Sequence, residues 1–359
     1  MKPLAAFAFA LVAALPAFPA AAQPAVLHAK QSTRSVAPGA LEAELRALKA
    51  GEAHWVAWEV PSAEKGHVCC YSSFHGGEIG GLCCGGCRLE SETAFTSRSS
   101  GSGAIPLETS RLHVFLRMEA GRATTVRAFS GDCAIDAEGR ALVWLTGVVP
   151  EESVRHLAAL AAGPWGDEDD DGLADRALSA LALHASPEAD RVLTTFVASG
   201  RPFELRKKAA FWLGNSRGRA GFEALRAVVA DDPDADFRHH GTFALSQSPV
   251  PEATALLLRM ARRDPEADVR GQALFWLAQK AGEKAASAIV DAIHDDPDAE
   301  VKEKAVFALS QLPRERAVTE LIRVARTSRI PEVREKALFW LGETKDPRAL
   351  EYIEEILKR

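Results

Sequence analysis

The sequence predicts an α+β multidomain protein, in which an α-solenoid of about six two-helix repeats follows a small antiparallel β-domain. Apolar residues recur every 32 residues without insertion from 173 to 359, and such a fixed period is typical of a solenoid. Upstream, short segments alternate apolar and polar residues, as half-buried strands do. The predicted units are 1–22 (signal peptide), 23–51 (flexible start and short helix), 52–149 (cysteine-rich β-domain), 150–172 (helix and acidic linker) and 173–359 (solenoid).

The composition is that of a folded protein without a nucleic-acid-binding surface. Of the 359 residues, 47% are hydrophobic and 26% are charged, as in ordinary globular proteins. The formal net charge is -6 at pH 7. Proteins that bind nucleic acid cluster Lys and Arg on one surface, so we expect no nucleic-acid partner here.

The first 22 residues have the layout of a secretory signal peptide. Lys2 provides a positive start, residues 4–15 form an apolar run, and small residues precede Gln23. A retained N-terminal anchor is the alternative, but the apolar run is too short to span a bilayer comfortably. We therefore expect a periplasmic or secreted protein with no membrane segment after signal removal.

The part of the chain after the predicted signal peptide has the patterns of two helices and of the strands between them. Residues 24–37 are mixed in character and predict an irregular start, and residues 39–51 predict a short helix that ends at Gly51. A second helix is expected over 150–162, because Pro150 and two glutamates form its first turn. Strand-like patterns lie at 54–60, 112–118, 124–130 and 141–148.

The chain has six cysteines, all in its first half: Cys69, Cys70, Cys83, Cys84, Cys87 and Cys133. An even count in an exported protein favours structural disulfides, whose pairing the sequence leaves open. A second interpretation is a zinc site, because the two-residue gap between Cys84 and Cys87 suits a metal and His67 and His75 are close in sequence. A third is a redox-active pair at the same two cysteines, although no βαβ pattern surrounds them.

An acidic stretch joins the two halves and is a candidate calcium loop. Asp167, Asp169 and Asp171 alternate before Gly172, and Asp175 is the ninth residue, which matches the opening of a calcium-binding loop. The twelfth position is Leu178 rather than the bidentate glutamate of such loops. The other interpretation is an acidic linker whose aspartates favour the start of the first repeat helix.

Within the repeat array, each unit reads as two amphipathic helices. In the unit from 264, Asp264 is the expected N-cap before Pro265, and Gly282 separates the first helix from the second. Val269, Ala273 and Leu277 then share one apolar face. The same leucine position recurs as Leu213, Leu245, Leu277, Leu309 and Leu341.

The pattern "DPEADVRGQALFWL" (264 to 277) resembles the short bacterial HEAT repeat, the type named after the phycobilisome lyases. The resemblance covers 173–359, about half of the chain. It implies an α-solenoid that binds other macromolecules. Some members of that family are bilin lyases, but no residue set in this sequence carries their activity over.

Aromatic residues occupy two neighbouring positions of the first helices. Trp212, Trp276 and Trp340 alternate with Ala244 and Ala308. The tryptophan position lies about 20° from Val269 on a helical wheel, and large and small residues alternate as interdigitating layers require. We therefore expect the tryptophans in the repeat core. The adjacent position is always Phe (Phe211, Phe243, Phe275, Phe307 and Phe339), and it packs between units or lines one face; we favour packing.

A polar position closes each first helix, at Asn215, Gln247, Gln279, Gln311 and Glu343. These side chains are expected to bond the loop backbone of the adjacent unit, because helix ends leave backbone groups that need partners. A ladder that binds a partner is the alternative interpretation.

Together these features predict an exported, non-enzymatic scaffold that binds a protein partner, of unknown identity, through its repeat surface. The sequence shows no Ser-His-Asp or Cys-His set and no phosphate loop. No cofactor is expected, apart from candidate calcium at 167–175 and, as a weaker candidate, zinc at the cysteines. The alternative function is a metal- or thiol-responsive sensor, in which the cysteine domain senses and the solenoid transmits.

Overall fold

The computed structural model describes residues 26–48, 54–63, 86–91, 94–95, 110–131, 133–165 and 172–358. The first half contains α1 (Leu41–Ala47), α2 (Pro150–Ala161) and the strands β1 (Val26–Leu27), β2 (Lys30–Ser35), β3 (His54–Pro61), β4 (Gly86–Arg88), β5 (Ala94–Phe95), β6 (Arg111–Glu119), β7 (Arg122–Ser130), β8 (Ile135–Asp136) and β9 (Ala141–Thr146). The expected β region and its two flanking helices are therefore present.

The main sheet is mixed, and the prediction of an antiparallel domain is wrong in this respect. Its strand order is β2-β9-β3-β6-β7, and β9 runs parallel to both of its neighbours, β2 and β3. Within this sheet, only the β3–β6 and β6–β7 pairs are antiparallel. A tight hairpin joins β6 to β7 and makes these two strands antiparallel. β9 lies between β2 and β3, which are both distant from it in sequence, and long connections allow it to run parallel to them.

The expected irregular start over 24–37 contains a strand where the chain is described, whereas the short helix expected over 39–51 is present as α1. Residues 30–35 form β2, which pairs with β9 from Lys30 opposite Ala141 to Ser35 opposite Thr146. All six residues of β2 are exposed. This edge strand has no buried face and therefore no hydrophobic alternation by which the sequence could reveal it.

The central strand β3 is buried on both faces and separates two cores. Val56, Trp58 and Val60 face the helices and join a hydrophobic core that continues through the repeats. Trp55 and Ala57 face the other side, where they contribute to a smaller core that contains β4 and β8. A small sheet of order β1-β8-β4-β5 covers this second core.

The second half consists of paired helices in a continuous array. The first helices of the pairs are α3 (Leu173–Ala182), α5 (Phe203–Ser216), α7 (Ala235–Gln247), α9 (Ala267–Ala281), α11 (Ala299–Ser310) and α13 (Pro331–Glu343). The second helices are α4 (Pro187–Phe196), α6 (Gly218–Val228), α8 (Glu252–Arg263), α10 (Ala286–Asp295), α12 (Arg314–Thr327) and α14 (Pro347–Leu357). The predicted α-solenoid is confirmed. None of the helices in the described parts of the chain is long and apolar enough to cross a membrane.

The two helical layers are not equivalent. Successive first helices pack closely against one another, whereas successive second helices make few direct contacts. Because the inner layer of a curved stack has the shorter spacing, the first helices form the inner face of the solenoid and the second helices form its outer face.

The sheet and the repeats are joined by backbone bonds and by a buried polar chain. The Ala63 amide donates to the Leu183 carbonyl at 2.8 Å, and α3 packs on β7. In the same region, Trp58 Nε1 donates to Ser153 Oγ at 2.8 Å, and that hydroxyl lies 2.8 Å from His184 Nε2. The β region thus continues directly into the array.

Candidate functional site

The inner face of the solenoid carries a continuous stripe of contacting aromatic rings. We call this set the aromatic stripe: Phe211, Trp212, Phe243, Phe275, Trp276, Phe307, Phe339 and Trp340. Each ring contacts the next, with centroid distances between 4.8 and 5.8 Å. Seven of the rings are half-buried, and Phe339 is 57% exposed. Every ring of the stripe is therefore at least partly exposed to solvent.

The alternation of Trp and Ala sets how the rings meet. Where Ala244 fills the small position, Phe211 and Phe243 stack directly, with planes 14° apart. Where Trp276 fills it, the indole ring lies against Phe243 at 4.8 Å and against Phe275 at 4.8 Å. The indole therefore bridges two phenylalanines, and the stripe remains unbroken from unit to unit.

The tryptophans are less buried than their predicted core position requires. The leucine column is fully buried, with every member at most 2% exposed: Leu213, Leu245, Leu277, Leu309 and Leu341. Trp212, Trp276 and Trp340 are only half-buried and pack on the edge of that core. The indole is too large to fit between two closely packed first helices, so its outer edge extends onto the inner face beside the phenylalanines. The Phe position both packs between units and lines a face.

Buried ion pairs tie several neighbouring units together. Arg238 on α7 makes a bidentate bond to Asp264, with both distances at 2.9 Å and side-chain exposures of 7% and 1%. This bond raises the pKa of the Arg238 guanidinium. Arg270 repeats the arrangement with Asp296, at 2.8 and 2.9 Å. Asp264 is thus a partner of Arg238, and the predicted N-cap role is wrong because Glu266 is the N-cap of α9.

One repeat after Arg270 and Asp296, both members of the ion pair are replaced. Asp296 is followed one repeat later by Ser328, and the corresponding arginine is replaced by Lys302. Lys302 Nζ donates to the carbonyls of Ile293 and His294, at 3.2 and 2.7 Å, so the buried cation is still satisfied. The sequence carries a signal for this column that the predictions did not use: from α5 to α13, a basic residue follows the apolar position that opens each first helix, at 32-residue intervals.

The amide position borders the stripe and does not bond the loop backbone as predicted. Gln247 Nε2 donates to Ser246 Oγ at 3.0 Å, and Gln279 Nε2 donates to Gln311 Oε1 at 3.3 Å. Asn215 makes a similar bond to Ser216 Oγ, at 3.1 Å. The C-terminal ends of the first helices are capped by backbone hydrogen bonds instead, such as the one from the Gln311 amide to the Ala308 carbonyl. The amide side chains therefore remain on the inner face.

On the other side of the stripe lies a row of basic residues, most of which are already paired. Lys304 bonds Asp268 and contacts Glu300 at 3.0 Å, and the bond to Lys304 lowers the pKa of the Asp268 carboxyl. Near the first units, Lys208 bonds Asp175 at 3.1 Å. That end of the stripe opens into a cleft of about 380 Å³, whose walls include Lys208, Trp212, His240 and Phe243.

The candidate calcium loop is described only at one of its four aspartates. Asp167, Asp169 and Asp171 lie outside the described residues. Asp175 is in the first turn of α3, pairs with Lys208 and lines the cleft at that end of the stripe. Within the described ranges, no group of three or more His, Cys, Asp or Glu is placed to hold a metal ion.

The cysteine cluster is likewise only partly described. Cys69, Cys70, Cys83 and Cys84 lie outside the described residues. Cys87 on β4 and Cys133 before β8 are buried in the second core, and both are disulfide-bonded. Both side chains therefore belong to the core that the small sheet covers, while the pairing of the six cysteines stays a prediction.

A serine and a histidine meet inside the molecule, but they form a structural link. Ser153 and His184 have no exposed surface. His184 Nδ1 donates to the Ala180 carbonyl at 2.8 Å, and burial lowers the pKa of its imidazole to about 4. The neutral ring and the hydroxyl are thus fully used in joining the sheet to the array, and no substrate has access to them.

Comparison with known proteins identifies the type of repeat. A family model described as HEAT repeats matches residues 191–278 and 286–359, so the predicted HEAT repeats are confirmed over these ranges. No curated protein matches the sequence.

Several solved structures resemble the chain at low identity. Human deoxyhypusine hydroxylase is 19% identical, with a TM-score of 0.31, over 57% of this chain and 90% of that one. The CpcE and CpcF complex of phycocyanin lyase from Nostoc sp. PCC7120 is 18% identical, with a TM-score of 0.30, over 57% and 80%. The karyopherin Kap121p, bound to the C-terminus of the phosphatase Cdc14p, is 11% identical, with a TM-score of 0.39, over 58% and 27%.

Proposed function

We propose that this chain is a non-enzymatic binding protein whose HEAT repeats bind another protein on their inner face. The observation that carries the proposal is the aromatic stripe, whose eight contacting rings are all partly exposed to solvent. Soluble proteins rarely expose a contiguous apolar surface of this kind unless it binds a partner. Trp and other aromatic residues are also the side chains most enriched at the centres of protein interfaces.

Polar groups around the stripe support the same proposal. Amides such as Gln279 lie along one side and charged pairs such as Lys304 with Asp268 lie along the other. An apolar centre with a polar rim is the usual anatomy of a protein interface. The repeat backbone beneath is held by buried ion pairs such as Arg238 with Asp264, so the face is pre-organised and loses little entropy on binding.

The proposal includes export to the periplasm or the medium. The signal-peptide layout of residues 1–22 and the disulfide bonds at Cys87 and Cys133 support an oxidising compartment. In this proposal the cysteine region is a stabilised structural module on which the first repeat pair packs. No cofactor takes part.

Site-specific photo-crosslinking tests the binding face. A photoreactive residue at position 279, on the edge of the stripe, is expected to give a discrete adduct with an exported protein. The same group at position 287, which is exposed on the second helix α10, is the matched control and should give none. Unlabelled wild-type protein should compete for the adduct, and the Phe275→Ser variant should not. Equal adducts at both positions would refute an inner-face site.

A further inference from the structure

Exposed hydrophobic side chains are concentrated at the α13–α14 end of the solenoid. Phe339, Leu350, Ile356 and Leu357 are 57, 53, 37 and 81% exposed. Elsewhere in the described chain, Leu27 on β1 is the one other large hydrophobic residue that is exposed. We call the surface that these four residues form with the half-buried side chains beside them the end face: Leu338, Phe339, Leu350, Ile353, Ile356 and Leu357.

The same repeat positions are buried one unit earlier. Val318 and Ala325 on α12 are 0 and 6% exposed, and Leu350 and Leu357 take their places 32 residues later. The terminal unit of a solenoid ordinarily carries polar residues on its outer side, because that side meets water. Here the outer side is apolar, and its leucines are larger than the residues they replace. The end face therefore has the character of an interface between packed units.

An arginine at this end is arranged as in the earlier units but lacks their carboxylate. Arg238 and Arg270 each bond a carbonyl of the loop before their own helix and a carboxylate of the next unit. Arg334, at the same position of α13, keeps the carbonyl bond, to Ser328 at 3.1 Å. It forms no ion pair with any described residue. A partner that covers the end face would complete this arrangement by supplying a carboxylate.

A second copy of this chain can supply that carboxylate. Glu335 lines the groove of the end face, is exposed, and forms no ion pair within the described ranges. Each copy thus offers both an arginine and a glutamate without an ion-pair partner. A twofold interface brings one surface against itself, so it needs both members of every contact on the same surface. The charges of the end face satisfy this requirement.

The opposite end of the solenoid limits how two copies can meet. There the first repeat helix, α3, packs on α2 and on β7. That end is therefore covered by the sheet region, and a head-to-tail contact would leave it no free repeat surface. The pairing of two end faces about a twofold axis covers both of them at once, and it forms a closed dimer.

The exposed area agrees with a dimer. A large apolar side chain has on the order of 200 Å² of surface, so the four exposed residues present about 400 Å² in each copy at their observed exposures. An apolar patch of about 300–600 Å² is as large as the largest on a typical monomer. Two such patches bury about 800 Å², and the polar rim brings the total toward the roughly 1,200 Å² at which specific interfaces begin. This area fits a reversible dimer.

We propose that two copies of this chain associate through their end faces about a twofold axis. Leu350 and Leu357 of each copy become buried against the other copy, whose groove between α13 and α14 has a volume of about 380 Å³. Arg334 of each copy bonds a carboxylate of the other. The inference goes beyond the inner-face binding function and does not depend on it, since most of the aromatic stripe stays open in the dimer.

Sedimentation equilibrium of the full chain tests the dimer. The wild-type protein should show twice the mass of one chain, with a reversible concentration dependence. Leu357→Asp and Leu350→Asp should each weaken the dimer at least about tenfold, because each change occurs twice in the interface. Leu27→Asp is the matched control, since Leu27 is exposed but lies on β1, and it should leave the mass unchanged. Circular dichroism should show that all three variants are folded.

Two results would overturn the proposal. One is a wild-type chain that stays monomeric up to about 0.1 mM, a concentration at which an interface worth about 5–6 kcal/mol would be half-formed. The other is a dimer that both aspartate variants leave as stable as the Leu27→Asp control does.

Photo-crosslinking identifies the surface that makes the contact. A photoreactive residue at position 350 should give an adduct of exactly two copies, and the same group at position 287 on α10 should give none. An adduct with a different protein at position 350 would show that the end face binds another partner and that a second copy is the wrong occupant.

The role of Arg334 is tested separately. Arg334→Gln should weaken the dimer about fivefold or more, the factor for one hydrogen bond to a charged group. Arg226→Gln is the control, because Arg226 is an exposed arginine on α6 that pairs with Glu223 away from the end face. Equal dimer stability in the two variants would refute the assigned contact of Arg334. In the monomeric Leu357→Asp variant, crosslinking at position 279 should still occur, so the failure of either proposal is seen independently of the other.

Discussion

Removing the carboxylate of Asp264 is the sharpest test of how the repeats are held together. Asp264 accepts two bonds from Arg238 at 2.9 Å, and its side chain is 1% exposed. In Asp264→Ala the Arg238 guanidinium stays buried. It keeps its hydrogen bond from Nη1 to the Asp232 carbonyl, at 2.9 Å, but loses both bonds to the carboxylate. The variant therefore leaves a charge inside the stack without its counter-ion.

The expected cost follows from that burial. Breaking a buried ion pair by removing one partner typically costs about 3–5 kcal/mol, because the remaining charge is desolvated without compensation. The lost bond from the Glu266 amide to Asp264, at 3.0 Å, adds to this. We expect Asp264→Ala to lower the free energy of unfolding by about 4 kcal/mol. The double variant Arg238→Met, Asp264→Leu should be close to wild type, since it removes both charges and keeps the volume.

Urea unfolding followed by circular dichroism measures the effect. Asp291→Ala is the control, because Asp291 pairs with Arg262 at 3.3 Å with both side chains about half exposed. Such a surface pair is worth about 0–1 kcal/mol. Hydrogen exchange across α7 and α9 should be measured as well, since repeat arrays unfold locally. The reasoning fails if Asp264→Ala costs no more than Asp291→Ala.

Three further predictions concern packing and pH. Trp276→Ala should lower the free energy of unfolding by about 2–3 kcal/mol, since the half-buried indole bridges two rings; a urea midpoint equal to wild type would contradict this. Gly214→Ala should destabilise the fold by about 2 kcal/mol or more, because the new Cβ would lie 2.0 Å from the Ala244 carbonyl oxygen. Gly342 occupies the same repeat position but has open space around it, so Gly342→Ala should stabilise the fold by about 0.5–1 kcal/mol. Equal shifts in melting temperature for the two variants would refute the assigned close approach at Gly214. The pKa of His184 is lowered from 6.5 to about 4 by burial, so its neutral form stabilises the fold above pH 6.5 and about 3 kcal/mol should be lost as the pH falls to 4. In His184→Gln the urea midpoint should lose this pH dependence, and an unchanged profile would show that another group causes it.

The sequence located most of the helices and strands because the burial of a helix or strand face is a local periodic property. The leucine column, buried from Leu213 to Leu341, follows directly from the 32-residue period and the 3.6-residue turn. The strands β3, β6, β7 and β9 were predicted from the same kind of pattern. The exposed edge strand β2 has no such pattern, and only its pairing with β9 reveals it.

The candidate site depended on contacts that no local pattern encodes. The eight members of the aromatic stripe were visible in the sequence as repeated residues. Helical periodicity nevertheless placed Trp276 in the core, because periodicity gives the direction of a side chain but not the space available for it. The partner of Arg238 lies 26 residues away, in the loop before the next unit. Sequence by itself determined which residues recur on each helix. Tertiary structure alone decided that the first helices form the inner layer, because the curvature of the stack arises from contacts between units.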